Sequence, residues 1–95
     1  MTGTKRASDA ELQRLYQAFA EPRDPKQVEA LMEDLCTIRE VHEMAQRLTV
    51  AFMLDDGESY ATIEKKTGAS ATTIARVSKC LNHGAGGYRA VIDRT

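Results

Sequence analysis

The sequence predicts an all-α protein of five to six short helices. Three observations carry that reading. Apolar residues recur at i, i+3, i+4 and i+7 along most of the chain, which is the spacing of one helix face. Capping side chains, and the Pro and Gly that stop helices, fall between these stretches. No segment alternates apolar and polar residues as a half-buried strand would.

Each element has its own signals. Ser8 and Glu11 have capping-box spacing. Leu12, Leu15, Tyr16 and Phe19 then make one apolar face, and Pro22 ends the helix by removing a donor and crowding the preceding turn. Asp24 and Pro25 restart the chain as N-cap and first helical residue, followed by the stripe Val28, Leu31, Met32 and Leu35. A second capping box, Thr37 to Glu40, opens the longest helix, which runs to about Asp55, Asp56 and Gly57. Its main face is Ile38, Val41, Met44, Ala45, Leu48, Ala51 and Phe52; Val50, Met53 and Leu54 add apolar surface on other sides. An end that is apolar nearly all round must be buried on several sides. In so short a chain, a partner subunit is the expected cover. Ser59 caps a helix through Lys66, residues 67–69 make a turn with Gly68 in a left-handed conformation, and Ser70 caps the next helix with Ile74, Val77 and Leu81 inward. Residues 82–87 (NHGAGG) read as a flexible break before a short last helix with Tyr88, Val91 and Ile92.

Ninety-five residues make one domain, 1–95, with residues 1–7 expected to fray. A core this small gains from oligomerisation. The longest apolar run, Val50 to Leu54, is far short of a membrane span, and no membrane partner is expected. The first residues are basic without an apolar stretch behind them, so no secretory signal is read and the cytoplasm is the expected address. Cys36 and Cys80 lie far apart, without metal-ligand or redox-motif spacing. They read as small buried hydrophobes in a reducing compartment, with a redox thiol as the alternative. No metal site and no cofactor is expected. Residues 1–57 hold 7 basic and 11 acidic side chains, whereas residues 58–95 hold 6 basic and 3 acidic. The C-terminal part is thus the basic one, the direction expected of a DNA-facing surface.

Two helices joined by a three-residue turn containing Gly, at about 59–81, have the helix-turn-helix pattern. Ile63, Ala69, Ile74 and Val77 fall inward. Ser70, Ala71, Thr72, Thr73 and Ala75 fall outward, and they are small enough for a helix N-terminus to enter a major groove. Thr hydroxyls can donate or accept there, and their methyls can meet thymine methyls. Lys65, Lys66 and Lys79 lie where a phosphate backbone would pass. The bland alternative is a plain helical hairpin, and Glu64 stands where many DNA-binding hairpins carry Ala. Against it, a helix dense in Ser and Thr with little Leu or Glu is poor design for a generic bundle.

Residues 33–81 resemble the Trp repressor superfamily, and most closely its YerC/YecD-type branch. The Thr37, Arg47, Gly57 spacing carries the likeness, with TGAS at 67–70 and TTIARVSKCL at 72–81. The resemblance implies an intertwined homodimer that presents one hairpin to each half of a pseudo-palindromic DNA operator, with half-sites ~34–36 Å apart or a multiple of that. It implies that Ala71 and Thr72 face bases, that Thr73 meets a base or phosphate, that Lys65 or Lys66 meets the backbone, and that Arg76 lies beside the operator phosphates.

In the family's founding member, tryptophan binds between the long helix and the recognition helix. By resemblance, Arg47 matches the group that holds the ligand carboxylate, Arg76 the guanidinium beside the indole, and Thr37 a backbone-carbonyl contact from the other subunit. Two positions depart. Val77 stands where the family has the Gly that admits the ring, and Cys80 where it has a Ser beside the ligand amine. An isopropyl group in a tight aromatic slot costs ~1–3 kcal/mol or more by overpacking. Tryptophan is therefore not an expected corepressor. Thr37, Arg47, Arg76, Val77 and Cys80 remain the place for some other small anionic effector, or Arg47 and Arg76 serve as an interface salt bridge and a phosphate contact.

No enzyme is expected: His42 and His83 have no carboxylate or Cys at a catalytic spacing, and GAGG at 84–87 does not follow a strand. The expected function is a homodimeric, sequence-specific transcriptional regulator, most simply a repressor. The alternative is a helical dimeric adaptor that uses the hairpin to bind another protein.

Overall fold

The computed structural model describes residues 5–95. These residues form six helices and no strand: α1 (Asp9–Ala20), α2 (Pro25–Leu35), α3 (Ile38–Asp55), α4 (Tyr60–Thr67), α5 (Ala71–His83) and α6 (Gly87–Ile92). Lys5, Arg6 and Ala7 are non-helical and exposed; the rest of the segment expected to fray lies outside the described residues. The chain divides into two compact units, one ending at Thr37 and one spanning Ile38–Thr95.

In the first unit both helix starts follow the capping signals. The Ser8 hydroxyl accepts from Glu11 N–H at 3.1 Å, and the Glu11 carboxylate accepts from Ser8 N–H at 2.8 Å. That backbone N–H, helped by the Ser8 hydroxyl, holds the Glu11 carboxyl below the usual glutamate range. Asp24 caps α2 by accepting from Gln27 N–H at 2.9 Å, with Pro25 first in the helix. Neither helix buries a residue, and Tyr16, Phe19 and Leu35 are exposed.

The second unit has its own core. Val50 and Ala51 of α3, Ile63 of α4, Ala69 in the turn, Ile74 and Val77 of α5, and Ile92 of α6 are buried together. Phe52, Met53, Leu54, Leu81 and Tyr88 pack against them. The C-terminal half of α3 is thus the post on which α4, α5 and α6 rest. The rest of its main stripe is less covered. Ile38 is 79% exposed and Leu48 is exposed too, whereas Ala51 and Phe52 of the same stripe lie in or against the core, so the core takes only the C-terminal end of the face read from the sequence. The side carrying Val50 is covered with it.

The helix ends explain the path. Glu58 N–H reaches Met53 O at 3.1 Å and Gly57 N–H reaches Leu54 O at 3.0 Å, the paired bonds of a Schellman close with Gly57 left-handed. Gly68, at φ +76°, closes α4 through its N–H to Glu64 O at 2.9 Å. The break after α5 is shorter than the sequence suggests. Asn82 and His83 remain helical, and the Asn82 amide donates to Ser78 O at 3.0 Å, so a side chain extends the helix that periodicity alone ends at Leu81. Arg89 then ties α6 to the end of α3, donating to Asp55 at 2.8 Å and to Asp93 at 3.1 Å. Those two carboxylates raise the pKa of its guanidinium, Asp55 first.

A Cβ added at Gly68 would meet no atom within 4 Å, so Gly68→Ala should cost only the left-handed backbone, about 1–2 kcal/mol. Urea denaturation should show a lower midpoint with an unchanged slope.

Candidate nucleic-acid interface

The hairpin is built by the same hydroxyl device used twice. Ser59 accepts from Thr62 N–H at 3.1 Å and donates to the Thr62 hydroxyl at 2.9 Å. Ser70 accepts from Thr73 N–H at 3.1 Å and donates to the Thr73 hydroxyl, also at 3.1 Å. Between them, the Thr67 hydroxyl donates to Ile63 O at 2.7 Å and accepts from Ala69 N–H at 3.1 Å. The turn is therefore fixed by its own residues, and Ile63, Ala69, Ile74 and Val77 anchor it to α3.

This packing sends one face of α5 to solvent. Ala71, Thr72, Ala75, Arg76 and Lys79 are all exposed, and α5 contains no acidic residue. The N–H groups of Ala71 and Thr72 precede any acceptor their own helix can offer, so the N-terminus of α5 is a partial positive end beside two cations. Lys65 is exposed on α4; Lys65, Arg76 and Lys79 carry no ion pair among the described residues.

The other expected residues are placed as follows. Lys66 is paired with Glu58 at 3.3 Å. The Ser70 hydroxyl donates to the Thr73 hydroxyl, and Thr73 is half-buried. Thr72 presents its hydroxyl to solvent on the same face as Arg76. Val77 is only 2% exposed and fills the contact between α3 and α5. Arg47 is half-buried on α3, and Arg76 is exposed on α5. Thr37 belongs to the first unit. Cys80 corrects an expectation. It is exposed, because the buried stripe of α5 passes through Ile74 and Val77 to Leu81 and leaves position 80 on the flank. It lines an open apolar groove of about 470 Å³ with Gly84, Ala85, Gly87, Tyr88 and Val91. Cys36 is half-buried at the end of α2. Among the described residues no group of three or more His, Cys, Asp or Glu could hold a metal ion, and no helix is long and apolar enough to cross a membrane.

Glu58 and Gln46 were not marked by the sequence. The Glu58–Lys66 pair spans eight positions, from the residue before the α4 cap to the last turn of α4, outside the helical spacings that predict ion pairs. Gln46 of α3 donates to Thr67 O at 3.1 Å across 21 positions, and nothing local announces that contact.

Fold and exposed face together define a small all-helical helix-turn-helix protein. The chain belongs to the Trp repressor family, whose family model, described as Trp repressor protein, matches residues 10–95. It is 44% identical over 84 residues to YerC of Bacillus subtilis (strain 168), itself uncharacterized, covering 88% of this chain and 81% of YerC. Two solved structures are similar. A candidate Trp repressor from Staphylococcus aureus matches at a TM-score of 0.86 with 38% identity, over 92% of this chain and 87% of that one. A TrpR-like protein from Eubacterium eligens ATCC 27750 matches at 0.83 with 41% identity, over 87% and 86%. These relatives support the YerC-type reading of the sequence.

Replacing the cap of α5, Ser70→Ala, should cost about 1 kcal/mol and should lower the thermal midpoint, read by circular dichroism.

Proposed function

We propose that this protein is a homodimeric, sequence-specific DNA-binding regulator, a repressor in the simplest form, that works in the cytoplasm without tryptophan. The observation that carries the reading is the acid-free exposed face of α5, with its small side chains first and its cations behind. Ala71 and Thr72 meet base edges in the major groove, while Arg76, Lys79 and Lys65 meet phosphates. Lys66 joins them, since an exposed ion pair such as that with Glu58 is worth about 0–1 kcal/mol and yields to a phosphate. Ser70 and Thr73 shape the helix start; the Thr73 N–H is committed there, and its hydroxyl accepts from Ser70 while keeping its own proton to donate.

The dimer is supported by what the single chain leaves uncovered. Ile38 and Leu48 on α3, and Tyr16, Phe19 and Leu35 on α1 and α2, expose apolar surface that a second copy would remove from water. Independence from tryptophan is supported by Val77, whose buried side chain occupies the α3–α5 contact in which the family's ligand binds. Arg47 and Cys80 then have no indole to flank. In this reading Val77 is a built-in filler that holds α5 in place.

Selection of genomic DNA fragments by the purified protein, with and without L-tryptophan, tests the reading. One pseudo-palindromic motif in both conditions is the expected result. A motif only with tryptophan overturns the filler role; none in either, even at low salt, favours the protein-binding adaptor.

Two substitutions sharpen the test. Arg76→Ala should weaken binding to the selected site and reduce the slope of log affinity against log salt by about 1, because one phosphate contact is lost. Val77→Gly should destabilise the fold by about 2–4 kcal/mol and weaken DNA binding, since it opens a cavity and adds a flexible residue within α5. Equilibrium denaturation and fluorescence anisotropy read the two effects.

A further inference from the structure

We infer that Gln46 is a positioning residue for DNA reading, acting by holding the carbonyl of Thr67 and so fixing the direction in which α5 leaves the turn. The inference rests on the DNA reading proposed above. Gln46 Nε2 of α3 donates to Thr67 O at 3.1 Å, and both residues are half-buried. Thr67 ends α4, so its carbonyl has no acceptor role within its own helix. Other groups of the turn are committed as well: the Thr67 hydroxyl bridges Ile63 O and Ala69 N–H, and Gly68 N–H bonds Glu64 O. Gln46 therefore attaches α3 to a segment already braced by its own hydrogen bonds.

The core contacts on either side, Ile63 and Ala69, are apolar. Apolar contacts set distance but tolerate small rotations, because the hydrophobic effect has no direction. A hydrogen bond at the pivot does have direction. The leverage is large. Lys79 lies about 15 Å along α5 from the turn, so a swing of about 10° would move it by roughly 2–3 Å. A shift of that size breaks hydrogen bonds to bases and phosphates but leaves general attraction to DNA intact. Gln46 should accordingly govern the ratio of specific to non-specific affinity rather than affinity as a whole.

The test compares Gln46→Met, which keeps length and apolar stem but removes the donor, with Gln46→Lys, which restores a donor of similar reach. Binding of each purified protein to its selected operator and to unrelated duplex is measured at several salt concentrations, with thermal unfolding in parallel; Gln46→Ala replaces the Met variant should that one not fold. Expected is a roughly three- to tenfold loss of operator affinity in Gln46→Met, with non-specific affinity and salt slope unchanged, and recovery in Gln46→Lys. A merely structural role would lower both affinities together as the folded fraction falls. An unchanged ratio in Gln46→Met, or a Lys variant no better than Met, overturns the inference and leaves the DNA reading standing. A wild-type protein that selects no sequence overturns both.

Discussion

The contact of Ile63, Ile74 and Val77 with Val50 and Ala51 is the constraint on which the rest depends. α4 has eight residues and α5 thirteen, and helices of that length are marginal in water by themselves. Their existence as helices is therefore conditional on the α3 surface beneath them. Once that surface is occupied, the opposite face of α5 is determined, because residues on a helix cannot be turned independently. The outward set of Ala71, Thr72, Ala75, Arg76 and Lys79 is the geometric complement of the inward one.

Much of this was legible in the sequence, and for local reasons. Ser8, Asp24, Ser59 and Ser70 cap helices where their spacing says they should, because capping is settled within three residues. Gly68 takes its left-handed conformation for the same kind of reason. The illegible parts involve choices between faces or between distant groups. The pattern of α3 shows apolar residues on more than one side, and pattern alone cannot say which side the chain covers for itself. Cys80 read as buried because it adjoins the stripe through Leu81, yet one position is about 100° of rotation on a helix. The bond from the Ser70 hydroxyl to the Thr73 hydroxyl, and that from Gln46 to Thr67, depend on atoms that only the fold brings together.

The charge asymmetry of the sequence also acquires a more specific form. Part of the basic excess after residue 57 is consumed internally: Arg89 is shared between Asp55 and Asp93, and Lys66 is held by Glu58. Of the four cations left without an ion pair, Lys65, Arg76 and Lys79 belong to the hairpin, and Arg94 lies at the end of the chain. A net charge near zero is thus compatible with a locally positive surface, since field depends on where charges sit within a Debye length rather than on their sum.

The hydroxyl pairing at the start of α5 separates two demands that compete in many small domains. Ser70 and Thr73 secure the helix, and Ile74 and Val77 secure its seat, so Ala71, Thr72 and Ala75 carry almost none of the folding energy. Exposed substitutions away from such features typically change stability by no more than about 0.5 kcal/mol. Those three positions can therefore vary among descendants of this chain while the scaffold stays put. Under the proposed DNA reading, divergence of the operator sequence would be open to single mutations, with no intermediate that fails to fold.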